Sequence, residues 1–175
     1  MKKIFLSLFL VPFVVSAQTY ELKKSDVTYH IKYLVKKFDG SSKVGKGLGK
    51  CEKENCEFLV AIRIDSFSSD NSNRDLHFLE TMKAATYPMI VGRLNIAAGD
   101  VKKGSFPAVI EYEMSGVKNK VKIDKVNATQ NAANLVVSFD QIIKLSDFKI
   151  EKPSLLGVAI DDEVPVKTVL EFVQK

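Results

Sequence analysis

The sequence predicts an all-β fold, an antiparallel barrel of about eight strands with one short helix at its mouth. Three observations carry this. Much of the chain after residue 26 alternates apolar and polar residues with a period of two, as half-buried strands do. Turn formers such as Ser115 with Gly116, Asn131 with Asn134, and Gly157 fall between the alternating runs. Between residues 65 and 90 the alternation stops, and the apolar spacing becomes helical for about two to three turns. Closing such a set of strands into a barrel removes the exposed edges that invite aggregation.

Each element follows in chain order. Val27, Tyr29, Ile31 and Tyr33 share one face of the first strand, opposite Thr28, His30 and Lys32. Residues 40–47 nearly match a phosphate-binding loop, but Gly47 stands where a magnesium-binding hydroxyl is needed. A strand follows instead of a helix, so this stretch reads as a flexible connection between strands. Phe58, Val60, Ile62 and Ile64 form the next inward row. A helix is expected near residues 73–83, capped by Asn71, Ser72 or Asn73, with Asp75 complementing its dipole in the first turn. Leu76, Leu79 and Met82 lie close to one face of it and should dock over the barrel mouth. Pro88 then pushes Tyr87 toward an extended conformation and opens the next strand. Later inward rows run through Phe106, Ala108, Ile110, Tyr112 and Met114, then Val121 and Ile123, then Leu135, Val137 and Phe139. The last sets Val164, Val166, Thr168, Leu170 and Phe172 on one face. At Val136 and Val137, and again at Ile142 and Ile143, both faces are apolar and alternation does not choose between them.

Residues 1–17 read as a cleavable secretory signal: Lys2 and Lys3, an apolar run, then Ser16 and Ala17 at a small-residue cleavage site. The run is too short to span a bilayer. Cleavage after Ala17 starts the mature chain at Gln18 and places residues 18–175 in one periplasmic barrel domain. Loss of Lys2 and Lys3 lowers the net charge from +5 to +3. The remaining lysines alternate with acids and apolar residues, which excludes the basic stripe of a nucleic-acid binder. Transient contact with an anionic membrane surface and a homodimer both stay open. Cys51 and Cys56 flank a charged, turn-prone stretch and read as a disulfide clipping a hairpin tip in an exported protein.

Catalytic and metal chemistry find little support. The two histidines, His30 and His77, have no cluster of carboxylates at ligand spacing, so no metal or cofactor site is expected. No strained nucleophile motif is present, and no catalytic residue is assigned. Arg74, Asp75 and His77 read as structural groups of the helix and barrel rim.

Asn71 to His77, with Tyr87 and Pro88 ten residues further on, resembles the YceI-like family of secreted bacterial proteins. Three segments in order support the resemblance: Ser25 to Ile31, then Ile62 to Phe67 leading into Arg74-Asp75-Leu76-His77, then Leu145 to Val164. One departure is Tyr33, where relatives often carry a His. The resemblance implies a lipocalin-like barrel holding a long apolar molecule, a polyisoprenoid, quinone or lipid. Ile31, Ile62, Ile110, Tyr112 and Phe139 would then supply apolar wall, and the hydroxyls of Tyr29, Tyr33 or Tyr112 would orient a head group. Two alternatives have different signatures. A ligand-free module partnering a membrane redox protein needs a solid interior and an exposed apolar patch. An enzyme acting on an isoprenoid or lipid needs acid, base or nucleophile inside the cavity.

Overall fold

In the computed structural model, which describes residues 17–33, 36–131, 133–155 and 157–175, strands dominate. Residues 1–16 of the expected signal segment, residues 1–17, lie outside the described residues. The strands are β1 (Gln18–Tyr33), β2 (Lys36–Ser42), β3 (Gly45–Glu52), β4 (Asn55–Arg63), β5 (Met89–Ala97), β6 (Ser105–Met114), β7 (Val117–Gln130), β8 (Asn134–Lys144), β9 (Ser154–Leu155), β10 (Val158–Ala159) and β11 (Glu163–Gln174). All pairings are antiparallel. Eight strands close a barrel in the order β1-β3-β4-β5-β6-β7-β8-β11, with β11 returning to β1. β2 extends the line of β3: residues 18–21 of β1 pair with β3, and residues 27–33 pair with β2.

β1 is longer than its alternation suggests, because a bulge between Leu22 and Lys24 resets the parity. Tyr20 and Leu22 point inward before the bulge; Ser25, Val27 and Tyr29 do so after it. An extra residue in one strand moves every later side chain to the opposite face.

The glycine-rich stretch is also strand, not the flexible connection expected: Gly40 ends in β2, and Gly45, Gly47 and Gly49 in β3. The reason is aromatic packing. A Cβ at Gly40 would stand 2.2 Å from the Tyr29 ring, and one at Gly49 would stand 2.5 Å from that of Phe58. Bare backbone lets both rings lie flat against the sheet.

The expected helix is α1 (Ser72–Thr81), and Asn71 is its cap, with Oδ1 accepting from Arg74 N at 3.0 Å. A second helix, α2 (Ala98–Lys103), was not expected. It ends on Gly104 in the left-handed region, as short helices often do. It plugs the far end of the barrel with buried Val101.

The interior divides into two packed clusters. The lower one gathers Tyr20, Phe58, Phe106, Val126, Leu135 and Phe172 against α2. The upper one joins Tyr29, Ile62, Phe67 and Met82 to Leu145, Phe148 and Ile150, the 3-10 turn Leu145–Phe148 following β8. The β7–β8 ladder runs only from Val126 opposite Phe139 down to Gln130 opposite Leu135. Above it the seam faces that 3-10 turn, tied there by Asn119 Nδ2 donating to the Asp147 carbonyl at 3.2 Å. Cys51 and Cys56 face each other across β3 and β4 and are disulfide-bonded, with Cα atoms 4.0 Å apart.

Candidate functional site

A cavity of about 810 Å³ runs down the barrel from the α1 end. Its floor is made by Phe58, Leu94, Phe139 and Phe172, and below them the lower cluster is solid. Its mouth is marked by exposed Lys36, Lys37, His77, Pro153 and Ser154. Between mouth and floor the wall is aliphatic and aromatic, because each strand contributes the apolar half of its period-two alternation.

Most residues singled out from the sequence meet here. Tyr29, Ile31 and Tyr33 on β1, Ile62 on β4, Ile110 and Tyr112 on β6 and Phe139 on β8 all line the cavity. Met82, just past α1, does so too and is buried. Two expectations fail. Leu76 does not dock over the mouth; it is 54% exposed on the outer side of α1. Six helical residues separate it from Met82, which places the two about 120° apart around the axis. Leu79 packs into the upper cluster beside the cavity and is not part of its wall.

The helix instead turns Arg74, His77, Phe78 and Thr81 toward the cavity, a spacing of one helical stripe. Phe78 is the lid. It stacks on Tyr29 with centroids 5.2 Å apart and meets Phe67 at 5.4 Å.

A polar clasp sets the helix over the mouth. Asp75 accepts from Ser69 N at 2.8 Å, from Ser69 Oγ at 2.6 Å and from Ser68 Oγ at 3.3 Å. Arg74 donates to the Ser69 carbonyl at 2.7 Å and lies 4.8 Å over the Phe38 ring. At the other end of the lid, Ser115 Oγ donates to the Met82 carbonyl at 3.0 Å. Arg74 and His77 also face the cavity. His77 pairs with Glu80 at 3.2 Å.

The electrostatics favour neutral groups inside. Burial, reinforced by the charge on Asp75, pushes the Tyr29 hydroxyl up to about 12. Burial also raises that of Tyr112, even as its bond to Gln141 pulls the other way. Ser69 Oγ holds the Asp75 carboxyl below the usual carboxylate range.

Gln141 is a cavity residue that the alternation reading passes over. Continuing the row Leu135, Val137, Phe139 by two more steps reaches Gln141 and Ile143, and both line the cavity. No group of three or more His, Cys, Asp or Glu suited to a metal ion occurs among the described residues.

Solved structures share this architecture. The polyisoprenoid binding domain from Saccharophagus degradans implicated in plant cell wall breakdown matches with a TM-score of 0.74 at 16% identity, covering 89% of this chain and 98% of that one. BcnA of Burkholderia cenocepacia matches with a TM-score of 0.68 at 19% identity, covering 84% and 95%. The Campylobacter jejuni YCEI protein matches with a TM-score of 0.63 at 17% identity, covering 100% and 99%. At these identities the likeness establishes the fold. No curated protein matches. The YceI-like domain model matches residues 18–172, and with the closed eight-stranded barrel around an apolar interior this places the chain in the YceI-like family.

Proposed function

We propose that this protein is a periplasmic carrier that holds a long apolar molecule, a polyisoprenoid, quinone or lipid, inside its barrel. The observation that carries the reading is the cavity itself: about 810 Å³ of largely apolar space inside the barrel. Removing a chain from water stabilises it by ~0.8 kcal/mol per methylene, so a long apolar ligand suits such a wall. The polyisoprenoid binding domain among the structural neighbours supports that ligand class, and the disulfide supports export.

The cavity weighs against a ligand-free module, which would be packed through. The titratable groups on its wall are Tyr29, Tyr33 and Tyr112, with Lys36, Lys37, Arg74 and His77 toward the helix and mouth, and no carboxylate. Raised tyrosine pKa values leave the interior without a strong base at neutral pH. That inventory favours holding a molecule over transforming it.

Mass spectrometry of an organic extract of the natively purified protein tests the reading. A lipid should co-purify with wild type and be lost in Ile110→Lys, whose unpaired buried charge is costly. Circular dichroism of both must show intact strand signal. A folded wild-type barrel that yields no lipid and takes up no isoprenoid would overturn the carrier function.

A further inference from the structure

Two rings close the cavity from below. Phe58 on β4 and Phe172 on β11 both line it, and they meet edge-on inside the barrel with centroids 5.3 Å apart. β1 and β3, the strands between them, leave room for that contact. At this level β3 presents only Gly49, opposite Phe58, where a Cβ would stand 2.5 Å from the ring. β1 presents Tyr20 and Leu22, which are buried and do not reach the cavity. Tyr20 backs the Phe58 ring, with centroids 6.0 Å apart. On β8 the lining ends at Val137, and Leu135, the next inward residue and the register partner of Phe172, is buried in the lower cluster.

A chain entering from the α1 end therefore meets a firm limit. Phe58 is held between Phe172 and Tyr20, so its ring cannot turn without displacing buried neighbours, and close-packed interiors yield little. The distance to that limit follows from the strands. From Val164 near the mouth to Phe172 at the floor, the wall of β11 runs about 26 Å along the strand and about 20 Å down a barrel axis inclined to it. An extended chain of about that length can lie wholly out of water. Any further unit must fold back against a wall already in contact or remain outside the mouth.

Resting on the carrier reading, we propose that Phe58 and Phe172 form a stop that sets the longest chain this barrel holds. Gly49 belongs to the device, because any side chain there would push the Phe58 ring aside. The ligand class is thus a chain of geranylgeranyl size or shorter, whose extended length is close to the depth above the stop. Val137, in the lowest layer of the cavity and paired with Leu170, is where added bulk raises the floor.

The experiment offers delipidated mature protein a series of prenols in phosphatidylcholine vesicles: farnesol, geranylgeraniol, geranylfarnesol and solanesol. Mass spectrometry of the re-isolated protein measures what it has taken up, and circular dichroism confirms that each variant is folded. In a vesicle every unit is already out of water, so chains that fit should transfer equally well whatever their length. Each unit left outside the barrel should lower occupancy about tenfold or more, which makes a break in the series after geranylgeraniol. Phe58→Ala opens space below the floor and should move the break about one isoprene unit longer, and the milder Phe58→Leu serves if that variant does not fold. Val137→Phe should move the break toward farnesol. Ile123→Ala, in the lower cluster and away from the wall, should lower stability and leave the break in place. A wild-type series without a break, a break that stays put in the folded Phe58 and Val137 variants, or one that Ile123→Ala moves as far, overturns the stop and leaves the carrier reading standing. If folded wild type takes up none of the prenols, the carrier reading falls and the stop with it.

Discussion

The two ends of the barrel are built from the same alternating rows, yet one is solid and the other hollow. On β6, Phe106 and Ala108 are packed below the cavity, whereas Ile110, Tyr112 and Met114 form its wall. The aromatic rings account for much of the difference. In the lower end Tyr20, Phe58 and Phe172 meet one another, with centroids 6.0 and 5.3 Å apart, and fill the interior above α2. In the upper end Tyr29, Phe67 and Phe78 stack together, Tyr29 flat against Gly40, and line the cavity without filling it. The hollow end is held by α1, the 3-10 turn and side-chain bonds where ladder is missing.

Truncation should expose this contrast most strongly. Ile123→Ala, in the solid end at 2% exposure, should cost about 3 kcal/mol, and Ile31→Ala, on the cavity wall, about 1 kcal/mol or less. Urea unfolding of the lipid-free protein measures both; equal costs would mean that the upper interior is packed as tightly as the lower. The disulfide comes next. It closes a short hairpin loop at the solid end, so replacing both Cys51 and Cys56 by Ser should lower stability by about 2 kcal/mol. Lipid binding should be unchanged. Asn71→Ala should cost about 1 kcal/mol, read as faster amide exchange in α1 with none in β7 below Val126.

The smallest effect is an acid one. Asp75 has a depressed pKa in the folded state, so its contribution is complete above the ordinary carboxylate value and is lost as pH falls through the lower folded value. Below about pH 4 the clasp on Ser68 and Ser69 should loosen while the solid end holds. Asp75→Asn should remove that pH step. Amide exchange in residues 68–82 against residues 126–130, followed from pH 7 downward, checks it.

Much of the barrel is legible in the sequence because burial imposes a period of two on every strand that faces one core. The rows through Ile62, Ile110 and Phe139 point inward as their alternation says. The strand from Gln18 to Asp26 escapes that reading because its bulge breaks the parity in mid-strand. Helix α2 escapes because six residues carry too little periodicity, though Lys102, Lys103 and Gly104 are a C-terminal signal. The face of α1 is misread at Leu76, where apolar character is counted ahead of helical angle, and Phe78 is the residue lost by it. That a cavity exists at all is not legible. A wall and a packed core use the same residues, and what decides between them is where rings lie in three dimensions.

The parted seam has a consequence of another kind. A barrel normally leaves no backbone for a second molecule to pair with, but β7 above Val126 presents an edge that β8 does not cover. Such an edge is a template for β-addition between chains. Lys118, Lys120 and Lys122 recur along it, all exposed, and Lys125 follows. Another strand laid there would have to approach this row of like charge. The Lys-rich run thus disfavours edge-to-edge pairing where the 3-10 turn, and not β8, borders β7.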